Sequence, residues 1–522
     1  MQSINMEFVQ NLLASFQELQ GSYAALQKSM ADFETMATAK FEAYEAEIAR
    51  KDTIIASLRA TIAKQEAELE RYREKDKTNS SNSSMSPSKD KTKAAHKEKK
   101  SRDRSGKKQG AQLGHKGSGL SLPSHYDREE ISSLIPRPCQ GCPARFLCSG
   151  LSCSRVHETR YEVDVTVQVV LHKYEQLECQ CPRIENASIC GTFPPGINAT
   201  VQYGQETKAL AAVLLNEGAV SVIRTHDILS ALAGLPVSTG SIIAWNYGLA
   251  DDLKEPHAEI RARLLKKPVA HSDETGINVD GENWWVHVAC DDLLTYMTVN
   301  KSRGYAGVAA ADFMTQYTGI SVSDCWATYN MFGQLSGHGR CCAHILRELQ
   351  KVIDTHPEFV WAKYLQQTLL DMKAAKERAI AKGKKGLSKS TIYKYMEKYD
   401  LWIWSGKHNT PLPKVSQETG KKEPKSYARR LVERLERYRD EVCLFFTNFI
   451  VPFDNNQAER DLRPVKTKMK VSGVMRTERG AEAYVIIRSF ISTAKKHGTN
   501  VMVALRLAYS GRAREAICGV CY

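Results

Sequence analysis

The chain has 522 residues, 42% of them apolar and 25% charged, with 73 Lys and Arg against 59 Asp and Glu for a net charge of +14. Those proportions exclude a wholly disordered or collagen-like chain and leave room for roughly three or four domains. No apolar run approaches the ~20 residues of a spanning helix, which excludes a membrane-embedded helical protein.

The positive excess favours a polyanionic partner such as a nucleic acid, although charge alone also fits a basic protein without one. Residues 1–20 hold Glu7 and Glu18 and no Lys or Arg, so no signal peptide is expected and the cytoplasm is the expected compartment. Thiols stay reduced there, so the seven cysteines between Cys139 and Cys190 suggest metal rather than disulfides.

Residues 1–75 read as a coiled-coil helix. Val9, Leu12, Phe16, Leu19, Tyr23, Leu26, Met30 and Phe33 recur at alternating steps of three and four, the spacing of a coiled-coil seam. A stutter at Ala37–Phe41 precedes its return from Tyr44 to Tyr72. Such a stripe predicts a homo-oligomer; the alternative is a helix folded back on its own globular body.

Residues 76–125 form a flexible basic linker or arm. Lys89 to Lys116 holds eleven Lys and Arg against three Asp and Glu, too little apolar surface to fold alone. Lys107, Lys108 and Lys116 are its candidate phosphate contacts.

Residues 126–200 are a cysteine-rich module. Cys139 and Cys142 make a C-x-x-C knuckle, and Cys179 and Cys181 a tighter C-x-C. Between them the alternation of Tyr161–Leu171 predicts a strand. Two cysteine pairs around a strand suit a zinc ribbon with structural Zn2+. The second pair is one residue short of the usual spacing, and Cys148, Cys153 and Cys190 remain as other donors.

Residues 201–265 read as helical. Ser221–Ala233, the turn Gly234–Val237, and Ser238 capping Thr239–Leu249 have the layout of a helix-turn-helix. An ordinary helical hairpin has the same signature.

From residue 266 strands dominate. Pro268–Gly276, Asn283–Cys290 and Leu293–Val299 predict an antiparallel meander, followed by a helix over Gly304–Tyr317 and a strand over Gly319–Ser323. The first and fourth strands carry Asp273 and Asp324. Three strands, a helix and a fourth strand is the order of a ribonuclease H-like α/β domain, in which these two acids meet. Carboxylates so paired suit Mg2+. A third acid is expected on a later helix, and Glu459 fits, with Arg463, Lys466 and Lys470 on its helical face. Pro464 is expected to bend that helix. The bland alternative makes Glu459–Arg463 a surface ion pair.

These residues bring the chain to a resemblance. His271–Gly276, Ser323–Trp326, Cys341–Leu349, Pro452–Arg463, Arg476–Ala481 and Ile487–Ala494, with Gly110–Gly117 upstream, resemble the insertion sequence 66 family of bacterial transposases. The resemblance implies a DDE transposase that cleaves and joins double-stranded DNA at element ends and targets, using two Mg2+ or Mn2+ ions held by Asp273, Asp324 and Glu459. It implies phosphate contacts from Arg460, Arg463, Lys466, Lys468 and Lys470, and accessory proteins of the same element as partners. The catalytic core would comprise residues 266–350 and 451–522, interrupted by a helical insertion at 351–450 with helices over Pro357–Ala381, Ser388–Asp400 and Tyr427–Phe449. Cys341 and His344 match a C-x-x-H that this and related families carry near the second acid. A DNA-binding regulator without cleavage activity is the alternative reading.

Overall fold

The structure is a computed structural model that describes residues 6–76, 188–413 and 424–518, with shorter stretches between 122 and 180 and positions 415 and 422. Helix α1 (Met6–Asp76) is unbroken. Its predicted seam is exposed throughout, from 42% at Val9 to 71% at Phe41. Among the described residues no helix is long and apolar enough to cross a membrane.

A short hairpin of β1 (Glu178–Gln180) and β2 (Ser188–Cys190) sets the backbone of Cys179 opposite Ile189. The strand expected over Tyr161–Leu171 is not formed at its described positions, which are irregular and exposed. Alternation alone makes no strand where no neighbour supplies a ladder.

Four helices follow: α2 (Gln205–Ala212), continued by a π-helical turn Val213–Glu217, then α3 (Val222–Ala233), α4 (Thr239–Asp252) and α5 (Lys254–Leu265). Ser221 and Ser238 cap α3 and α4 by accepting the amides of Arg224 and Ser241. Gly234 ends α3 at φ 60°, left-handed geometry that costs glycine little. Leu229, Val237 and Ile242 join Ala211 and Leu215 in a small core of their own.

The remainder is α+β. Strands β3 (Val269–Val279), β4 (Glu282–Cys290), β5 (Thr295–Asn300), β6 (Ile320–Ser323) and β7 (Gly337–Arg340) form one mixed sheet in the order β5-β4-β3-β6-β7. The first three are an antiparallel meander, and β6 and β7 add in parallel. Between β5 and β6 the helix α6 stops at Tyr305–Ala310, seven residues short of the expected Tyr317. Asp312 there takes φ 51° and pairs with Arg261, which turns the chain out of the helix.

Helices α7 (Cys342–Thr355), α8 (Val360–Ala381), α9 (Lys389–Asn409), α10 (Tyr427–Arg437) and α11 (Arg439–Thr447) precede α12 (Asn456–Val471), α13 (Glu478–Lys496), α14 (Val501–Tyr509) and α15 (Ala513–Ile517). The second inserted helix runs on to Asn409 and the third is divided at Tyr438. Trp361, Leu365, Tyr399, Leu431 and Phe446 share a core with Ile320 and Val322 of β6, so the insertion is packed onto the sheet.

Helix α12 runs through Pro464 without interruption. Its Ala458, Leu462 and Val465 pack on Ile277 and Val279 of β3. Helix α13 closes the free edge of β5: Thr493 Oγ1 and Ser489 Oγ accept the amides of Thr295 and Met297 at 3.1 and 2.9 Å, so that edge offers little to another strand.

Candidate active site

The site forms at one end of the sheet, where β3, β6 and α12 meet. In the β3–β6 ladder His271 lies opposite Val322. Asp273 and Asp324 each follow two residues further along, so the two acids leave neighbouring parallel strands at the same level. Asp273 is on the alternate set of β3 residues that includes Ile277 and Val279, the set that faces α12. Glu459 sits in the first turn of that helix.

Asn455, only 1% exposed, fixes the start of α12. Its Oδ1 accepts His271 Nδ1–H at 2.8 Å and its Nδ2 donates to the Ser272 carbonyl at 2.9 Å. Its own amide donates to Cys341 Sγ at 3.1 Å. One side chain and one amide therefore tie α12 to β3 and to the entry of α7.

The acids feel one another. Burial, then the charge of Glu274, then those of Asp324 and Glu459 push the Asp273 carboxyl up to about 8, against the Glu274 amide that donates to it. Glu274 points to the other side of β3, where Arg303 Nη2 at 2.9 Å and Tyr329 Oη at 2.8 Å satisfy it. Its own carboxyl is still raised, by burial first and then by Asp324. Arg303 lies between the rings of Trp285 and Trp326, its guanidinium carbon 4.8 and 4.5 Å from their centroids.

Asp324 is positioned through its backbone as well as its carboxylate. Its Oδ1 accepts the Trp326 amide at 2.9 Å, and its carbonyl accepts Arg340 Nη1 at 3.1 Å. Arg340 is 2% exposed, bonds Asn330 and Glu441, and lies 4.7 Å from the Tyr438 ring. The insertion thus reaches the acid through one buried cation. Glu459 Oε1 lies 3.4 Å from Arg347 Nη2 and 3.7 Å from His344 Nδ1.

Asp273 and Asp324 stand at one level on neighbouring strands, and the charges of Asp324 and Glu459 both reach Asp273, while the Glu459 carboxylate itself lies against Arg347 and His344 of α7. Carboxylate oxygens of which one is raised by burial and by the charges of neighbouring acids are hard donors of the kind that suits Mg2+ or Mn2+. Of the basic residues named on α12, Arg460, Arg463, Lys466 and Lys470 are exposed. Lys468 is the exception: its Nζ turns inward and donates to the carbonyls of Leu215 and Val220 at 3.1 and 3.2 Å, and burial brings it down to about 8. Those carbonyls, at and just beyond the π-helical turn, need a donor, and Lys468 supplies it.

Lys107, Lys108, Lys116, Cys139, Cys142 and Cys181 lie outside the described residues, and for Cys179 only the backbone is described. Sequence reasoning assigned no role to Asn455 or Arg340. Their signal was weak: Asn455 precedes a helix start, and Arg340 ends a short strand with no visible partner.

A family model described as the Transposase IS66 family matches residues 200–483, just over half of the chain. A model described as a family of unknown function matches residues 34–121. No curated protein matches the chain.

Proposed function

From the premise that the chain belongs to the IS66 transposase family, we propose that it is a DDE transposase, cleaving DNA at the ends of a bacterial insertion sequence and joining the freed ends to a target. The observation that carries this reading is the placement of Asp273 and Asp324 at one level on neighbouring strands with Glu459 on the facing helix, Asp273 being raised by burial first and then by the charges of Glu274, Asp324 and Glu459. The strand order β5-β4-β3-β6-β7 supports a ribonuclease H-like core at 266–350 and 451–522, with 351–450 as its helical insertion.

Bound Mg2+ or Mn2+, two ions in this reading, would supply stabilisation of the attacking and leaving oxygens of an in-line phosphoryl transfer. Asp273, Asp324 and Glu459 supply the oxygens that hold them. In cleavage, water attacks the phosphorus and the 3′ oxygen leaves; in joining, that 3′-OH attacks a target phosphorus and a target 3′ oxygen leaves. Arg340, through the Asp324 carbonyl, and Asn455, through the start of α12, hold two of the acids in place. Exposed Arg460, Arg463, Lys466 and Lys470 position the backbone without reading bases.

End recognition falls to the helix pair α3–α4 within 201–265, the cysteine module at 126–200 with its Zn2+, and the basic arm at 76–125 through Lys107, Lys108 and Lys116. The exposed seam of α1 is covered by a second copy of the chain, which makes 1–75 the oligomerisation element. Accessory proteins of the same element join the assembly.

The test is nicking of a duplex carrying the element's own ends, with end binding followed in parallel. Asp273→Asn is expected to abolish nicking and leave binding within a few fold. Binding lost together with nicking contradicts the role given to Asp273; binding without nicking by the wild type supports a regulator instead.

A further inference from the structure

The C-x-x-H of the sequence meets the third acid. Cys341 is fully buried just before α7, His344 lies in the first turn of that helix, and Glu459 faces them from α12. The thiol, an imidazole nitrogen and a carboxylate oxygen all lie within 4.8 Å of one another. Hydrogen bonding leaves His344 unexplained. Its Nδ1 is buried with no hydrogen-bond partner, and Glu459 Oε1 at 3.7 Å is beyond hydrogen-bond reach.

A tetrahedral cation explains the spacing. With bonds of ~2.0–2.1 Å to nitrogen or oxygen and ~2.3 Å to sulfur, ligand atoms around zinc stand roughly 3.3–3.6 Å apart. The imidazole–carboxylate distance is already close to that. No pair has to close by more than about 1.5 Å, within reach of rotation about the His344 and Glu459 side-chain torsions. Both side chains are partly exposed, 19% and 26%, so a cation can enter from solvent.

We infer that Cys341, His344 and Glu459 form a binding site for a borderline-soft divalent cation, Zn2+ by its donor set, which draws on the same carboxylate as the acid cluster. Thiolate and imidazole favour zinc over magnesium. Binding displaces the thiol proton to solvent, forms the Zn–S, Zn–N and Zn–O bonds, and leaves a fourth position to water. A Glu459 carboxylate drawn to α7 is withdrawn from Asp273 and Asp324. Resting on the function proposed above, zinc at this site therefore acts as a brake on strand transfer.

The test titrates the full-length protein with Co2+ as the optical probe, comparing wild type with Cys341→Ser and, independently, His344→Gln. Cysteines of the 126–200 module and the acid cluster add a background shared by the wild type and both α7 variants. Each variant is expected to bind one fewer Co2+ per chain, with loss of part of the thiolate-to-cobalt absorption in Cys341→Ser. Glu459→Gln is expected to weaken that one equivalent at least tenfold. Equal stoichiometry and affinity in wild type and both α7 variants, each with native tryptophan emission, overturns the site. These readouts need no DNA, so they stand whether or not the chain transfers strands. Where it does, transfer in Mg2+ that is insensitive to one further equivalent of Zn2+ overturns the brake.

Discussion

Replacing Asn455 by alanine tests how the acid cluster is held. The side chain is buried and makes two bonds, from His271 Nδ1 and to the Ser272 carbonyl. Alanine leaves that carbonyl and that imidazole N–H without partners, and each buried orphan costs ~1–3 kcal/mol. The expected loss is therefore about 2–6 kcal/mol, with the Asn455 amide still bonded to Cys341 Sγ. All seven tryptophans lie between Trp245 and Trp404, so urea unfolding followed by their emission reports on this part of the chain and not on α1. Glu459 is one turn beyond Asn455, and a start of α12 loosened by ~1 Å is expected to lower strand transfer on the order of 100-fold. Asn455→Asp, which keeps the oxygen facing His271, should lose less activity than alanine if that bond orients the site. A loss below about 0.5 kcal/mol with unchanged transfer would refute the reasoning, because two buried bonds would then contribute nothing.

Other outcomes follow from the same geometry. Asp461 is 8% exposed and accepts from Lys496 Nζ at 2.6 Å and Thr295 Oγ1 at 2.8 Å; Asp461→Ala should cost ~3–5 kcal/mol by leaving the lysine buried without its counter-charge, read by the same unfolding experiment. Lys466→Ala should reduce the salt slope of DNA binding by about one, whereas Lys468→Met should leave that slope unchanged and cost ~1–3 kcal/mol in stability. Burial lowers His257 from 6.5 to about 4, against its bond to the Met297 carbonyl. Its folded pKa is depressed, so the stability present above pH 6.5 is lost as pH falls towards 4. That loss is about 2 kcal/mol between pH 8 and pH 5, and His257→Gln should remove it from urea midpoints measured at the two pH values.

Much of the fold was legible because local signals agreed with the tertiary outcome. The meander from β3 to β5 follows alternation, the α3–α4 pair follows Ser221, Gly234 and Ser238, and Asp324 follows the end of β6. What sequence could not carry was long-range. The bond from Arg340 to Asp324 and Glu441, and the approach of His344 to Glu459, join residues whose separation in the chain says nothing of their contact. Lys468 shows the limit of the resemblance, which groups it with the phosphate contacts: it lies off the face of Arg463, Lys466 and Lys470, and two carbonyls of another segment claim it. The short α6 and the split at Tyr438 are places where a tertiary partner, Arg261 at Asp312 just past the end of α6 and Arg340 at Tyr438, engages the chain as it leaves the helix.

The most direct measurement is strand joining by the purified full-length protein in Mg2+ or Mn2+, with DNA carrying the element's own ends, wild type beside Glu459→Gln. Metal-dependent joining by the wild type that disappears in the variant, with end binding retained by both, is the predicted result. End binding by the wild type with no joining, even with the element's accessory proteins supplied, would contradict it.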